Sequence, residues 1–147
     1  LAFAPVDFEQ QTLADALNRA GFKADEPAFF SMLGVVMYLT KTAVMETFKF
    51  VASLPSGTEI VFDYGILSSM LTERQRSARE YLARRVAAIG EPFITYFDPA
   101  SLGLELRGMG FTQVEDFGPE AAKERYFKDR TDGLFISGSS HLMKARV

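Results

Sequence analysis

Apolar and polar positions fall in short blocks along this chain, and the spacing within the blocks switches between two residues and three to four. Leu1 to Val6 is an apolar run that stops on Asp7 and reads as a buried strand. Glu9 to Ala20 places Leu13, Ala16, Leu17 and Ala20 at helical spacing, with Gly21 where a left-handed cap belongs and Phe22 following it. After the polar loop Lys23 to Pro27, Ala28 to Leu33 reads as a second strand closed by Gly34, and Val35 to Leu39 as a turn or short helix. Thr40 is placed to cap a helix that carries Val44, Phe48, Val51 and Ala52 on one face and stops at Pro55-Ser56-Gly57. Thr58 to Phe62 is a continuous β-rich run, the mark of a central parallel strand.

The clearest helix is Thr72 to Ile89. It opens on a Thr72/Gln75 capping box, carries Ala78, Leu82, Val86 and Ile89 in register, and ends at Gly90. An aromatic linker from Phe93 to Phe97 leads to Asp98-Pro99, a cap and first-turn proline for a helix with Leu102, Leu106 and Met109 inward and Gly110 at its end. Phe111 to Phe117 alternates as a strand, Pro119 to Tyr126 is short and helical, Asp129 to Ser140 is a loop, and His141 to Val147 alternates as a closing strand. Strand–helix alternation through Ile89 predicts right-handed crossovers and an α/β fold, doubly wound and mostly parallel, with an antiparallel final strand. Neither a repeat nor a second domain is visible, so residues 1–147 are expected to form one domain.

Composition narrows the partners. Net charge is −3, and Glu73 and Glu80 interrupt the cluster Arg74, Arg76, Arg79, Arg84 and Arg85, so no basic stripe for nucleic acid exists. The cluster reads as a solvated helix face, or a lid over an acceptor site. The longest apolar stretch, Ala28 to Leu39, is too short to span a bilayer, so no membrane partner is expected. Cysteine is absent, which excludes thiolate metal sites and thiol nucleophiles and fits a cytoplasmic location. No metal-ligand spacing of any recognisable kind occurs.

Candidate chemistry lies at the strand ends. In open α/β sheets ligands sit outside the carboxyl ends of the strands, so Asp7-Phe8 and Asp63-Tyr64 read as site residues. No glycine-rich turn precedes the first pair, which reads as the rear portion of a cofactor-binding domain.

These residues resemble the rear half of a class I S-adenosylmethionine-dependent methyltransferase. The resemblance is closest to the leucine carboxyl methyltransferase-like family, in its bacterial O-methyltransferase branch. It rests on Pro5-Val6-Asp7-Phe8, the run from Ala28 to Thr40, Glu59 to Tyr64, Gly90-Glu91-Pro92-Phe93, Leu106 to Phe111 and Arg125-Tyr126-Phe127, in the family's order. It implies a Rossmann-like sheet, S-adenosyl-L-methionine as cofactor and a small-molecule acceptor. Asp7 and Phe8 would flank the adenine, Met32, Leu33 and Gly34 would line the cofactor cleft, and Tyr38 would border it. Leu33 stands where the leucine carboxyl methyltransferases carry a glutamate, which leaves carboxyl and hydroxyl acceptors both open. The glycine loop, the ribose-binding acid and the arginine for the methionine carboxylate belong to a front segment not in this sequence, so isolated activity is not expected.

Each candidate has a structural alternative. Asp7 would equally cap the following helix, although the accompanying Phe8 favours adenine. Asp63 and Tyr64 face the acceptor side, where a cap role competes with substrate contact. His141, the one histidine, is the sole general-base candidate at neutral pH, with a packing role as its rival. Arg125, Tyr126 and Arg130 would form an acceptor-binding corner or a salt-bridged surface helix. Phe93, Tyr96 and Phe97 would wall an apolar pocket or pack the core. The catalytic residues stay unassigned at this stage. A non-catalytic α/β module that forms a homo-oligomer through an exposed sheet edge is the competing function.

Overall fold

The computed structural model describes residues 1–136 and 138–147. In chain order it contains α1 (Leu13–Arg19), β1 (Phe29–Met32), a 3₁₀ turn (Val36–Tyr38), α2 (Lys41–Ala52), β2 (Glu59–Gly65), α3 (Glu73–Ala87), α4 (Pro99–Met109), β3 (Gln113–Phe117), α5 (Pro119–Ala122) running into a π turn (Lys123–Phe127), and β4 (Ser140–Arg146). The loop expected over Asp129 to Ser140 includes Ser137, which lies outside the described residues.

The strands form one sheet in the order β1-β2-β4-β3. β1 and β2 are parallel, whereas β4 is antiparallel to both β2 and β3. Three strands therefore run one way and the last runs against them, as the alternation predicts. Ile60, Phe62 and Tyr64 of β2 share a face with Met143 and Ala145 of β4, and all five are buried. Val44, Phe48 and Val51 of α2 and Leu102 and Leu106 of α4 complete this core. The Phe48 and Phe62 rings meet at 4.5 Å, at its centre.

Local signals set the helix ends. Thr72 and Gln75 make the reciprocal capping box. Asp98 accepts from the Ser101 amide with Pro99 in the first turn, and Gly110 ends α4 at φ +115. Gly21, at φ +81, turns the chain so that Phe22 packs on Phe30 and Phe50.

Three expectations are corrected. Leu1 to Val6 forms no strand, and Leu1 and Phe3 are exposed. A strand needs a neighbour, none lies alongside among the described residues, and Pro5 lacks the amide a ladder would use. The first helix starts at Leu13 rather than Glu9, because the Asp7 carbonyl captures the Gln10 and Gln11 amides and Thr12 is the side chain that caps. The Ala78, Leu82 and Ile89 stripe of α3 points outward, leaving Leu82 and Ile89 exposed. That helix docks instead through Arg79, whose guanidinium bonds the Ile66 carbonyl and the Ser68 hydroxyl and lies 4.4 Å over the Tyr96 ring.

Candidate functional site

Because β1, β2 and β3 run parallel, Met32, Gly65 and Phe117 end on one edge of the sheet. β4 runs the other way and therefore begins there, with Ser140 opposite Gly65 and His141 opposite Tyr64. Residues from four separate stretches of sequence meet on this edge.

Asp63 sits one residue beyond the Met32–Phe62 pair, and its Oδ1 accepts the Gly34 amide at 2.6 Å. Gly34 adopts φ +69, a left-handed turn that favours glycine, and a Cβ there would meet nothing within 4 Å. The bond joins one expected substrate residue to the expected cofactor segment. Leu33 is exposed beside it, while Met32 turns into the core. Tyr38 is half-buried and packs against Phe93 at 5.4 Å between ring centres. Phe97 is core and Tyr96 is the platform under Arg79, so the aromatic linker is mainly packing.

Asp7 is exposed. Its Oδ1 accepts the Glu9 amide at 2.9 Å, while Oδ2 has no protein donor among the described residues. It lines a groove with Phe3 to Val6 and the Ala16, Arg19 and Ala20 side of α1. No hydrogen bond joins it to Met32, Leu33 or Gly34 among the described residues. The segment is nonetheless tied to this edge, because both oxygens of Glu9 bind Thr40, at 2.8 Å to its amide and 2.9 Å to its hydroxyl. Phe8 is half-buried and packs on the core.

On the covered face of the same edge, Tyr64 is fully buried and donates its hydroxyl to Asp116 Oδ1 at 2.7 Å. His141 Nδ1 lies 2.8 Å from the other oxygen of Asp116. Burial, then the hydrogen bond and charge of Asp116, push the Tyr64 phenol far above its ordinary value. The folded state thus holds this proton more tightly than the unfolded chain. Its contribution is complete below the unfolded value near pH 10 and is lost as pH rises beyond it, by about 1.4 kcal/mol per pH unit. Urea midpoints measured from pH 9 to 11 should fall more steeply for the native chain than for Tyr64→Phe, whereas equal slopes would refute this assignment.

Arg125 and Tyr126 belong to a different place. They line a hollow on the opposite face of the sheet with Val61, Phe117 and Leu142, the guanidinium 5.6 Å from the Tyr126 ring centre. Arg130 pairs with Asp132 instead of joining them. Asp116 went unrecognised in the sequence. The available signal was an acid sharing the inward alternation of Val114, two residues before Gly118.

Comparison with known proteins now gives this edge a context. Residues 1–52 match the leucine carboxyl methyltransferase family model. That span carries Asp7, Phe8, Met32, Leu33, Gly34 and Tyr38. No curated protein sequence matches the chain. Among solved structures, a DUF574 family protein from Streptomyces avermitilis superposes with a TM-score of 0.58 at 18% identity, over 96% of this chain and 53% of that one. A methyltransferase candidate from Thermobifida fusca gives 0.56 at 16% identity, over 95% and 50%. Human N-acetylserotonin methyltransferase, solved with SAM, gives 0.52 at 11% identity, over 98% and 33%. The fold is therefore the Rossmann-like methyltransferase fold, and the chain spans about half the length of the first two structures. No helix among the described residues is long and apolar enough to cross a membrane.

Proposed function

We propose that this chain is the rear portion of an S-adenosylmethionine-dependent O-methyltransferase domain, a single unit over residues 1–147 that acts on a hydroxyl or carboxyl group of a small molecule. The observation that carries the reading is the convergence of Leu33, Gly34, Asp63, Tyr64 and His141 on the carboxyl edge of a methyltransferase-like sheet, beside the stretch matched by the family model.

The residues present suit the adenosine end of that cofactor. The free Oδ2 of Asp7 would accept the exocyclic amine, the open space over Gly34 admits a ring close to the backbone, and exposed Leu33 offers apolar contact. Bound there, the cofactor would supply a methyl group already activated on a sulfonium, so proximity and orientation would carry much of the rate. Phe8, Met32 and Tyr38 would support this wall from behind, since all three are at least half-buried. Asp63 would act through Gly34, and Arg125 and Tyr126 would contribute to acceptor binding only from the other face.

Calorimetric titration of S-adenosylmethionine and its demethylated product tests the proposal. Saturable binding is expected, and Asp7→Ala should weaken it about tenfold, the worth of one hydrogen bond to a charged group. A full-length gene product that ignores both compounds would end the reading.

One observation favours a second function. β1 lies at the end of the strand order, so one of its edges has no partner strand among the described residues, and Phe29 on it is exposed. Such an edge invites pairing with another chain, as an oligomerising interaction module would require. Light scattering separates the two: a monomer that binds the cofactor supports the first function, and an oligomer without cofactor affinity supports the second.

A further inference from the structure

Tyr64, Asp116 and His141 come from β2, β3 and β4, and their side chains meet at the carboxyl edge where the cofactor residues lie. The arrangement around the imidazole is directional. Asp116 offers His141 Nδ1 both oxygens, at 2.8 and 3.1 Å, and a carboxylate only accepts, so Nδ1 carries the proton. Nε2 is left with its lone pair, and no described residue bonds it. Tyr64, held protonated by burial, donates to the same carboxylate from below and fixes its rotation. The ring rests on the α-carbon of Gly118, where a Cβ would stand 2.8 Å from Cε1 and clash. The His141 side chain is 14% exposed and that of Asp116 31%, so the pair lies at the rim rather than wholly in the core.

We infer that His141 is the general base for a hydroxyl acceptor, with Asp116 as its positioning residue, so that the substrate class is an alcohol or phenol. The inference rests on the methyltransferase reading and deepens it. A carboxylic acid is already ionised at neutral pH and needs no base; a hydroxyl keeps its proton until the transition state. As the acceptor oxygen forms its new bond to the methyl carbon, its proton passes to Nε2 and the O–H pair stays on oxygen. The pair of the broken C–S bond leaves on the sulfur, giving a thioether. The imidazolium that results is neutralised by Asp116, which already bonds its far side. Tyr64 cannot serve as the base, because its phenol is buried and its proton is committed to Asp116.

Two measurements on the full-length gene product test this. The first is a long-range proton–nitrogen spectrum, with the His141 signals identified by their loss in His141→Gln. Nδ1 should be protonated and Nε2 bare at neutral pH, and Asp116→Asn should shift the proton towards Nε2. A native Nε2–H tautomer overturns the inference, whatever Asp116→Asn does to the proton. The second is transfer of labelled methyl from S-adenosylmethionine to panels of phenols, primary alcohols and carboxylic acids. Turnover of a phenol or alcohol should fall about a hundredfold in kcat in His141→Gln, with cofactor affinity and KM within threefold of native, and less steeply in Asp116→Asn. Cofactor binding with methylation of carboxylic acids alone, or with full turnover in His141→Gln, overturns the inference and leaves the methyltransferase reading standing. Absence of cofactor binding removes both.

Discussion

Phe62→Ala is expected to lower the free energy of unfolding by about 3–5 kcal/mol. Phe62 is fully buried on β2, against Phe48 at 4.5 Å and Tyr64 at 5.9 Å between ring centres. Truncation loses the transfer energy of the ring and leaves a hole that α2 does not readily close, because its Val44, Phe48 and Val51 are already fully buried in the same core. Domains of this size hold about 5–15 kcal/mol in total, so one ring accounts for a fifth or more of the margin. Urea unfolding followed by circular dichroism measures it. A loss under about 1 kcal/mol would mean that the sheet does not pack on α2 as described. Phe3→Ala is the control, since that ring is exposed and its removal should be nearly neutral.

Asp63→Ala is expected to cost about 1.5–3 kcal/mol and to weaken S-adenosylmethionine binding at least tenfold. The carboxylate is the acceptor for the Gly34 amide, and Gly34 occupies a left-handed turn that has no other restraint from a side chain among the described residues. Without the bond, the Leu33–Gly34 segment loses the link that holds it against the end of β2. Asp63→Asn keeps a neutral acceptor and should recover about half of each effect, because bonds to charged groups are roughly twice as strong. Paired urea and calorimetric titrations of both variants check this. Equal cofactor affinity in native and Asp63→Ala protein would separate Gly34 from the cofactor wall.

What could be read from the residues follows the range of the forces involved. Caps and turns act within four residues, so Thr72/Gln75, Asp98-Pro99 and Gly110 announced the ends of α3 and α4 directly. The alternation of β4 was equally legible, because burial on one face imposes a period of two, while β2 stood out as a continuous β-rich run. Leu1 to Val6 was misread for the opposite reason. An apolar run becomes a strand only beside another strand, and no local pattern reveals whether that neighbour exists. The outward stripe of α3 belongs to the same class: Arg79 docks the helix through distant carbonyl and ring partners, overriding its apolar periodicity. Asp63 and His141 stood out as single residues, but their partners did not. The Tyr64–Asp116 bond joins positions 52 apart, and only the sheet order brings them together.

That order has a consequence for biogenesis. β4 lies between β2 and β3 and bonds to both, seven residues against one and five against the other. As the polypeptide emerges from the ribosome, β2 and β3 cannot be zipped together until residue 146 has cleared the exit tunnel. Until then Ile60, Phe62 and Val114 stay without their β4 neighbours, and quality-control factors have a window in which to act on the nascent protein.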